Sequence, residues 1–242
     1  GPQSYKFTCD YFTSDTSGKP LGKDRVSGIY TRNLPERKAR WSDVSIAHAN
    51  GFDDPYPPGT PQTYMDGFTY TPGESSDMFR SGFFEGFPPS EMKTKNLVWD
   101  TVAFESFAWP YFDKLVLNTP YSLHPNQDVP LGSEGNFNNR NVVLTWVGIS
   151  TRDGVPCALI DYEALFNSFS VSTGTVKAKG RSHYWGEIWV SLETKQIEYA
   201  TLLEDVLTEV TIGGQGGEQG GGQPNKMLLN VFRKGAFEKQ KN

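Results

Sequence analysis

The segment from Arg181 to Leu192, RSHYWGEIWVSL, carries the side chains with the widest chemical range in the chain. Successive side chains of a β-strand point to opposite faces, so His183, Trp185, Glu187 and Trp189 would share one face of such a strand. Indole rings beside carboxylates suit the stacking and hydrogen bonding of a sugar ring or another amphipathic ligand. We therefore interpret this face as a candidate ligand-binding surface.

The strand that follows decides which side chains join this face. A four-residue hairpin loop that pairs Ser191 with Gln196 makes one face of the hairpin uniformly apolar, and this hydrophobic consistency favours that register. On the other face, the same register pairs Trp189 with Glu198, Glu187 with Ala200, Trp185 with Leu202, and His183 with Glu204.

Two kinds of acid–base chemistry would fit this face if the protein is an enzyme. Glu187 and Glu198, on neighbouring strands, could form the carboxylate pair that glycosidases hold at roughly 5–10 Å. His183 beside Glu204 could act as a general acid. The alternative is a solvated sheet face, where cross-strand pairs of these types contribute about 0.2–1 kcal/mol each to stability. The sequence therefore names these four catalytic candidates only on the condition that a reaction exists.

Further ligand-binding candidates lie outside this hairpin. Asp161 and Glu163 share one face of the preceding strand, and Trp99 lies on a helix that could cap an opening of the sheet. The full set of ligand-binding residues that we predict is Trp185, Trp189, Glu187, Asp161, Glu163 and Trp99.

Metal and cofactor motifs are missing from the sequence. His48, His124 and His183 are far apart, and the acidic residues Asp53, Asp54 and Asp66 lack the spacing of a calcium loop. No P-loop, G-x-G-x-x-G or G-x-S-x-G motif is present. We therefore predict neither a metal site nor a cofactor. The two cysteines, Cys9 and Cys157, could form a disulfide or remain as buried thiols.

Charge and composition exclude several classes of protein. The chain has 23 basic and 28 acidic residues, and an acidic protein without a basic stripe is a poor match for nucleic acid. No apolar run is long enough to span a bilayer. Among 242 residues, the aromatic fraction is 14%, with 25 Gly and 16 Pro, which favours strands and turns.

These elements predict a mainly β fold in a single domain, 1–242. The segment 51–90 reads as a long flap rich in Pro, Gly and aromatic residues, and 92–117 as a helical insertion that Pro110 ends or kinks. The segment 140–237 reads as an antiparallel meander whose flexible glycine loop lies at 213–222. We expect a barrel or half-barrel of about nine or ten strands.

A curved antiparallel meander with an inserted helix resembles, at the level of architecture, the periplasmic half-barrel carriers of lipids. This resemblance is one of architecture alone and carries no residue across. The aromatic excess, a helix such as Val98–Ala108 that could cap an opening, and the lack of a catalytic motif favour a non-catalytic binding protein for an apolar or amphipathic, lipid-like ligand. The alternatives are a carbohydrate-active hydrolase or lyase and a structural or assembly subunit.

We expect a secreted or periplasmic protein, because the sequence is typical of extracytoplasmic β-proteins. The start at Gly1-Pro2 is typical of a cleaved tag, so a signal peptide could have been removed with it. The sequence leaves the ligand and the oligomeric state open.

Overall fold

The computed structural model describes residues 1–73, 82–89, 91–123, 127–131, 134–173, 176–213 and 225–241. Within these residues the chain forms one α-helix and thirteen β-strands that pair antiparallel throughout. The helix is α1 (Met92–Ala108). The strands are β1 (Gln3–Asp15), β2 (Pro20–Arg32), β3 (Ala39–Ala49), β4 (Thr60–Pro61), β5 (Thr69–Tyr70), β6 (Tyr121–Ser122), β7 (Gln127–Pro130), β8 (Gly135–Asn139), β9 (Val142–Arg152), β10 (Val155–Thr173), β11 (Val176–Ser191), β12 (Ile197–Ile212) and β13 (Asn225–Lys239).

All thirteen strands belong to one sheet whose order is β4-β3-β2-β1-β13-β12-β11-β10-β8-β7. Strand β5 pairs with β3, β9 pairs with β10, and β6 pairs with β9. The mainly β, antiparallel prediction is confirmed. In the described residues the sheet does not close into a barrel, and its shape is that of a half-barrel or sandwich. Five strands of two to five residues, β4 to β8, raise the number above the nine or ten expected.

Strand β10 is longer than the sequence suggests. The hydrophobic pattern predicts that one strand ends at Ala164 and another begins at Val171, but β10 continues to Thr173. Its register shifts between Ala164 and Asn167, where Phe166 has a φ of 62°. This bulge bends the strand, so that β10 pairs with β9 before the bulge and with β8 after it.

Helix α1 covers one face of the sheet, which we call the inner face; the opposite face is the outer face. The ring of Phe104 packs against Phe7 and Phe237 at centroid distances of 5.7 and 5.6 Å. The helix also places polar side chains on the sheet, because Lys95 pairs with Glu134 and is only 2% exposed. Helical structure in 92–117 is thus confirmed, although α1 itself ends before Pro110.

The aromatic flap is held by its own rings. Phe68 lies 5.5 Å from Phe83 and 4.9 Å from Phe87, between ring centroids, and Phe84 lies 5.4 Å from Trp99 of α1. The flap therefore packs onto the helix. Phe79 of the flap and positions 214–222 of the predicted glycine loop lie outside the described residues. Cys9 and Cys157 are both buried and free.

Candidate functional site

The β11–β12 hairpin follows the predicted register only at its loop. The backbone N–H of Ser191 donates to the carbonyl of Gln196 at 2.8 Å, and Val190 pairs with Ile197 as predicted. The register then shifts, so that Trp189 pairs with Tyr199 and Glu198 becomes the extra residue of a bulge. All later pairs predicted from the hydrophobic pattern are therefore wrong by one residue.

This shift separates the four conditional catalytic residues. Glu198 accepts a hydrogen bond from Lys239 Nζ at 2.7 Å, and Glu204 points to the inner face, where it is buried. Tyr184, not His183, lies opposite Glu204. The pairs Glu187–Glu198 and His183–Glu204 do not form.

His183 has a local structural contact instead. Its Nδ1 accepts a hydrogen bond from the backbone N–H of Phe166 at 3.0 Å, so the imidazole binds the bulge of β10. The ring also lies edge-on to the ring of Phe166, with centroids 5.4 Å apart. On β12 the residue opposite His183 is Asp205, which is exposed.

The remaining predicted residues do come together on the outer face. Asp161 lies directly opposite Glu187, and Glu163 lies opposite Trp185. Trp189 Nε1 donates to Glu187 Oε1 at 3.0 Å. Partial burial, with a further contribution from Glu187, raises the pKa of Asp161. Two carboxylates and an indole are thereby held side by side, which the sequence predicted as a set but not as pairs.

These side chains line a cleft of about 500 Å³, which we call the outer cleft. Its lining residues are Val143, Thr145, Asp161, Tyr162, Glu163, Trp185, Gly186, Glu187, Thr201 and Leu203. Apolar walls and three carboxylates give this cleft an amphipathic, acidic character.

The floor of the outer cleft is a gap in the hydrogen bonding between β11 and β12. The N–H of Glu187 donates to Thr201 Oγ1 at 3.1 Å, and the hydroxyl of Tyr162 donates to the carbonyl of Thr201 at 2.6 Å. Gly186 makes this arrangement possible, because a Cβ there would lie 2.2 Å from that carbonyl oxygen.

Trp99 lies apart from the outer cleft. It belongs to α1, and its ring packs edge-on against Phe84. Its Nε1 is buried without a hydrogen-bond partner among the described residues, and Glu134 Oε2 is in the same state. Trp99 is thus part of the inner side of the molecule.

A second candidate surface lies on the inner face, where four long strands extend as a distal arm. We define the distal arm as residues 168–173, 176–182, 205–212 and 225–231, from β10 to β13. Cross-strand rows such as Ala178–Val210–Met227 place apolar side chains next to one another. The apolar side chains of this face are Phe169, Val171, Val176, Ala178, Val206, Val210, Ile212, Met227, Leu229 and Val231.

This apolar face is only partly covered by the rest of the protein. Ile212 and Met227 are 39% and 38% exposed, and the other eight apolar side chains are half-buried. The outer face of the distal arm is mainly polar, but it also carries Leu207 and Leu228, which are 50% and 54% exposed. Its polar residues include Ser168, Ser170, Ser172, Lys177, Lys179, Arg181, Asp205, Glu209, Thr211, Lys226 and Asn230. A large contiguous apolar patch on a protein surface is typical of a binding site for a ligand or a partner.

Charged side chains from α1 and the sheet meet at the base of the distal arm. The guanidinium of Arg233 binds the carboxylates of both Asp100 and Glu204, and Ser182 donates a hydrogen bond to Glu204 at 2.5 Å. Burial raises the pKa of Asp100 to about 6, with Arg233 opposing this shift and Glu204 adding to it. This buried network separates the open apolar face from the packed core.

The sequence contains the signal for the distal arm, although our prediction missed it. Apolar residues recur at every second position on the inner face, at Val210 and Ile212 and again at Met227, Leu229 and Val231, although Leu228 between them is also apolar. Strand β10 also reads as ending at Ala164, which hides Phe169 and Val171 from the pattern.

Other searches of the described part of the chain add no chemistry. Within it, no three His, Cys, Asp or Glu side chains gather as metal ligands would, and α1 is not long and apolar enough to cross a membrane. Comparison of the whole chain with protein-family models and with curated protein sequences gives no match. The outer cleft and the inner face of the distal arm are therefore the two surfaces whose chemistry bears on function.

Proposed function

We propose that the protein binds an apolar or amphipathic, lipid-like ligand on the inner face of the distal arm and catalyses no reaction on it. The single observation that supports this proposal is the set of ten apolar side chains that are left half-buried or exposed on that face. A ligand that covers them would remove apolar surface from water, at about 25 cal/mol per Å².

The dimensions of the face favour a ligand over a protein partner. From Val176 to Ser182 the arm advances six residues, or about 20 Å, and the axes of its four strands span about 14 Å, for a footprint of about 300 Å². A lasting protein interface buries about 800 Å² on each partner. An acyl chain is about 15 Å long, half the thickness of a bilayer core, and fits along the strands.

The expected affinity follows from the same surface. A ligand with a ten-carbon chain would gain about 4–8 kcal/mol of binding free energy, depending on whether half or all of the surface of the chain is covered. This range corresponds to a Kd between about 1 mM and 1 μM. Binding experiments therefore need ligand concentrations that reach the millimolar range.

The test uses a neutral ligand and two matched substitutions on β12. We expect decyl tetra(ethylene glycol) to displace the neutral dye Nile red from the wild-type protein. Val210→Asn, on the inner face, should weaken this binding at least tenfold, whereas the neighbouring Thr211→Asn, on the outer face, should leave it unchanged. Equal binding by both folded variants, with melting curves like the wild type, would contradict the proposal.

The outer cleft supports a second candidate function, a carbohydrate-binding or carbohydrate-cleaving site. The observation in its favour is that Asp161 and Glu187 face each other beside Trp185. Release of reducing sugar from a polysaccharide panel, lost in Glu187→Gln, would support an enzyme, and oligosaccharide binding without release would support a lectin-like site. No binding and no release would remove this candidate.

The assembly role and the location outside the cytoplasm stay predictions. Light scattering addresses the first, because an assembly subunit would form oligomers, through the glycine loop 213–222 or the flap as the sequence predicts. Fractionation of the native host cell addresses the second.

A further inference from the structure

We propose that the outer face of the distal arm docks on the surface of an anionic lipid bilayer. This interaction goes beyond the binding of a ligand on the inner face and does not depend on it. Three features of the outer face support the proposal: its local charge, its protruding apolar side chains and its small area.

The outer face carries a line of basic side chains along β11. Lys177, Lys179 and Arg181 alternate with residues of the inner face, and all three are exposed. On β10, a serine lies opposite each of them, and its short side chain leaves the line open. Lys179 approaches Glu209 at 3.3 Å, whereas Lys177 and Arg181 have no acidic partner among the described residues. Two of the three cations are thus available to a partner outside the protein.

The other charges of the outer face leave these cations in excess. Lys226 of β13 is a fourth basic residue, and Asp205 and Glu209 of β12 are the acidic ones. Four basic and two acidic residues give the described outer face of the arm a net charge of +2, in a chain whose net charge is −5. Because salt screens charges that lie more than about 8 Å apart, the local charge decides what approaches the arm. A bilayer that contains anionic lipids attracts such a basic surface.

Apolar side chains protrude among these charges. Leu207 and Leu228 are 50% and 54% exposed, and Leu207 lies directly opposite Arg181. Phe166, at the bulge of β10, is 68% exposed, and its ring contacts His183, the next outer-face residue after Arg181 on β11. Exposed apolar side chains beside basic ones bind the boundary between the head groups and the acyl chains of an anionic bilayer.

The small area of the outer face favours a bilayer over a protein partner. Its footprint equals that of the inner face, about 300 Å², whereas a lasting protein interface buries about 800 Å² on each partner. A bilayer needs no matching pocket, because each apolar side chain enters the interface separately while the stems of Lys and Arg keep their charges at the head groups.

The experiment measures co-sedimentation of the protein with vesicles of phosphatidylcholine alone and with vesicles in which a third of the lipid is phosphatidylglycerol. We expect the wild-type protein to bind the anionic vesicles more tightly than the neutral ones, and added salt to reduce this difference. Lys177→Gln together with Arg181→Gln should weaken binding to the anionic vesicles about 25-fold, because each basic side chain near such a surface contributes about fivefold. The matched control is Lys6→Gln with Arg40→Gln, which makes the same change in charge at exposed positions of β1 and β3.

The apolar contribution has its own pair of variants. Leu207→Asn should weaken binding to the anionic vesicles about fivefold, because half of a leucine side chain no longer leaves water. Leu117→Asn is the control, since Leu117 is 48% exposed but lies outside the distal arm, and it should bind like the wild type. Melting curves like that of the wild type show that each variant is folded.

Three results would overturn the inference. The first is equal vesicle binding by the outer-face variants and their controls. The second is loss of vesicle binding in Val210→Asn with no loss in the outer-face variants, because the inner face would then make the contact. The third is binding of soluble polyglutamate as tight as that of the anionic vesicles, because the face would then recognise an acidic chain. The proposed function is tested separately, since displacement of Nile red is measured without vesicles.

Discussion

Arg233 of β13 and Glu204 of β12 form an ion pair on the inner face of the sheet, with both side chains less than a tenth exposed. The pair lies where the distal arm leaves the packed core, and Asp100 of α1 binds the same guanidinium. The contact therefore links two strands and the helix at one point. Buried ion pairs of this kind are costly to break one partner at a time.

We expect Glu204→Gln to lower the free energy of unfolding by about 1.5–3 kcal/mol, because it replaces the charged acceptor of the hydrogen bonds from Arg233 and Ser182 by a neutral amide. The control is Glu209→Gln on the same strand, which breaks exposed ion pairs on the outer face and should change the free energy of unfolding by less than about 1 kcal/mol. Urea unfolding measures both. Similar losses in the two variants would argue against a buried network.

Asp100 should make stability depend on pH. Its pKa is about 6 in the folded protein and 3.8 in the reference state, so the folded protein binds more protons between these values. The free energy of unfolding should therefore fall as pH rises from about 4 to 6, by at most about 3 kcal/mol. Asp100→Asn has no carboxyl group to titrate at this position, so its free energy of unfolding should not show this fall. Its stability relative to the wild type should therefore increase as pH rises from about 4 to 6.

Asp15 offers a control of opposite sign for the pH experiment. Hydrogen bonds from the Ser17 hydroxyl and the Lys19 backbone lower the pKa of this exposed carboxyl. Its stabilising contribution is present above the unfolded-state pKa and is lost as pH falls through the folded-state value. Asp15→Asn should therefore remove stability at neutral pH rather than at acid pH. If the stability of Asp100→Asn relative to the wild type fell with rising pH, as expected for Asp15→Asn, the raised pKa of Asp100 would be contradicted.

Repulsion between two carboxylates of the outer cleft should lower the stability of the folded protein. Like charges directly opposite each other in a sheet are destabilising, and Asp161 faces Glu187. We expect Asp161→Asn to raise the free energy of unfolding at neutral pH by about 0.5 kcal/mol, with the gain reduced by salt. Glu163→Gln, opposite Trp185, should have no such effect. A gain for both variants, or for neither, would show that the pair is not strained.

Gly186→Ala should destabilise the protein by about 2 kcal/mol, because its Cβ would overlap the carbonyl oxygen of Thr201 and the hydroxyl of Tyr162. Gly59→Ala is the control, since its nearest contact is the side-chain oxygen of Ser45, which can move. We expect the control to change the free energy of unfolding by less than about 1 kcal/mol. Thermal unfolding of both variants gives the comparison.

Parts of the candidate sites were readable in the residue types. The alternation along β11 places His183, Trp185, Glu187 and Trp189 on one face because the period of a strand is two, whatever its neighbours do. The helix at 92–108 follows in the same way from a local pattern and from the break at Pro110. Such features depend on residues close together in the chain.

Pairing between strands was not readable, because a single bulge changes the partners of every residue beyond it. Glu198 is the extra residue in β12, and it moves Glu204 from the position opposite His183 to the one opposite Tyr184. Nothing in the local pattern distinguishes this register from the uniform one. The partner of Glu187 is consequently Asp161, on the other neighbouring strand.

The sequence by itself determined a mainly β, antiparallel chain with an acidic and aromatic face on β11, because composition and alternation act locally. Only the tertiary structure decided which surfaces stay open. Helix α1 fills the inner face near Phe237 but leaves the ten apolar side chains of the distal arm half-buried or exposed. Which part of the inner face is covered depends on where α1 packs against strands that are distant from it in sequence, and local sequence patterns do not contain this information.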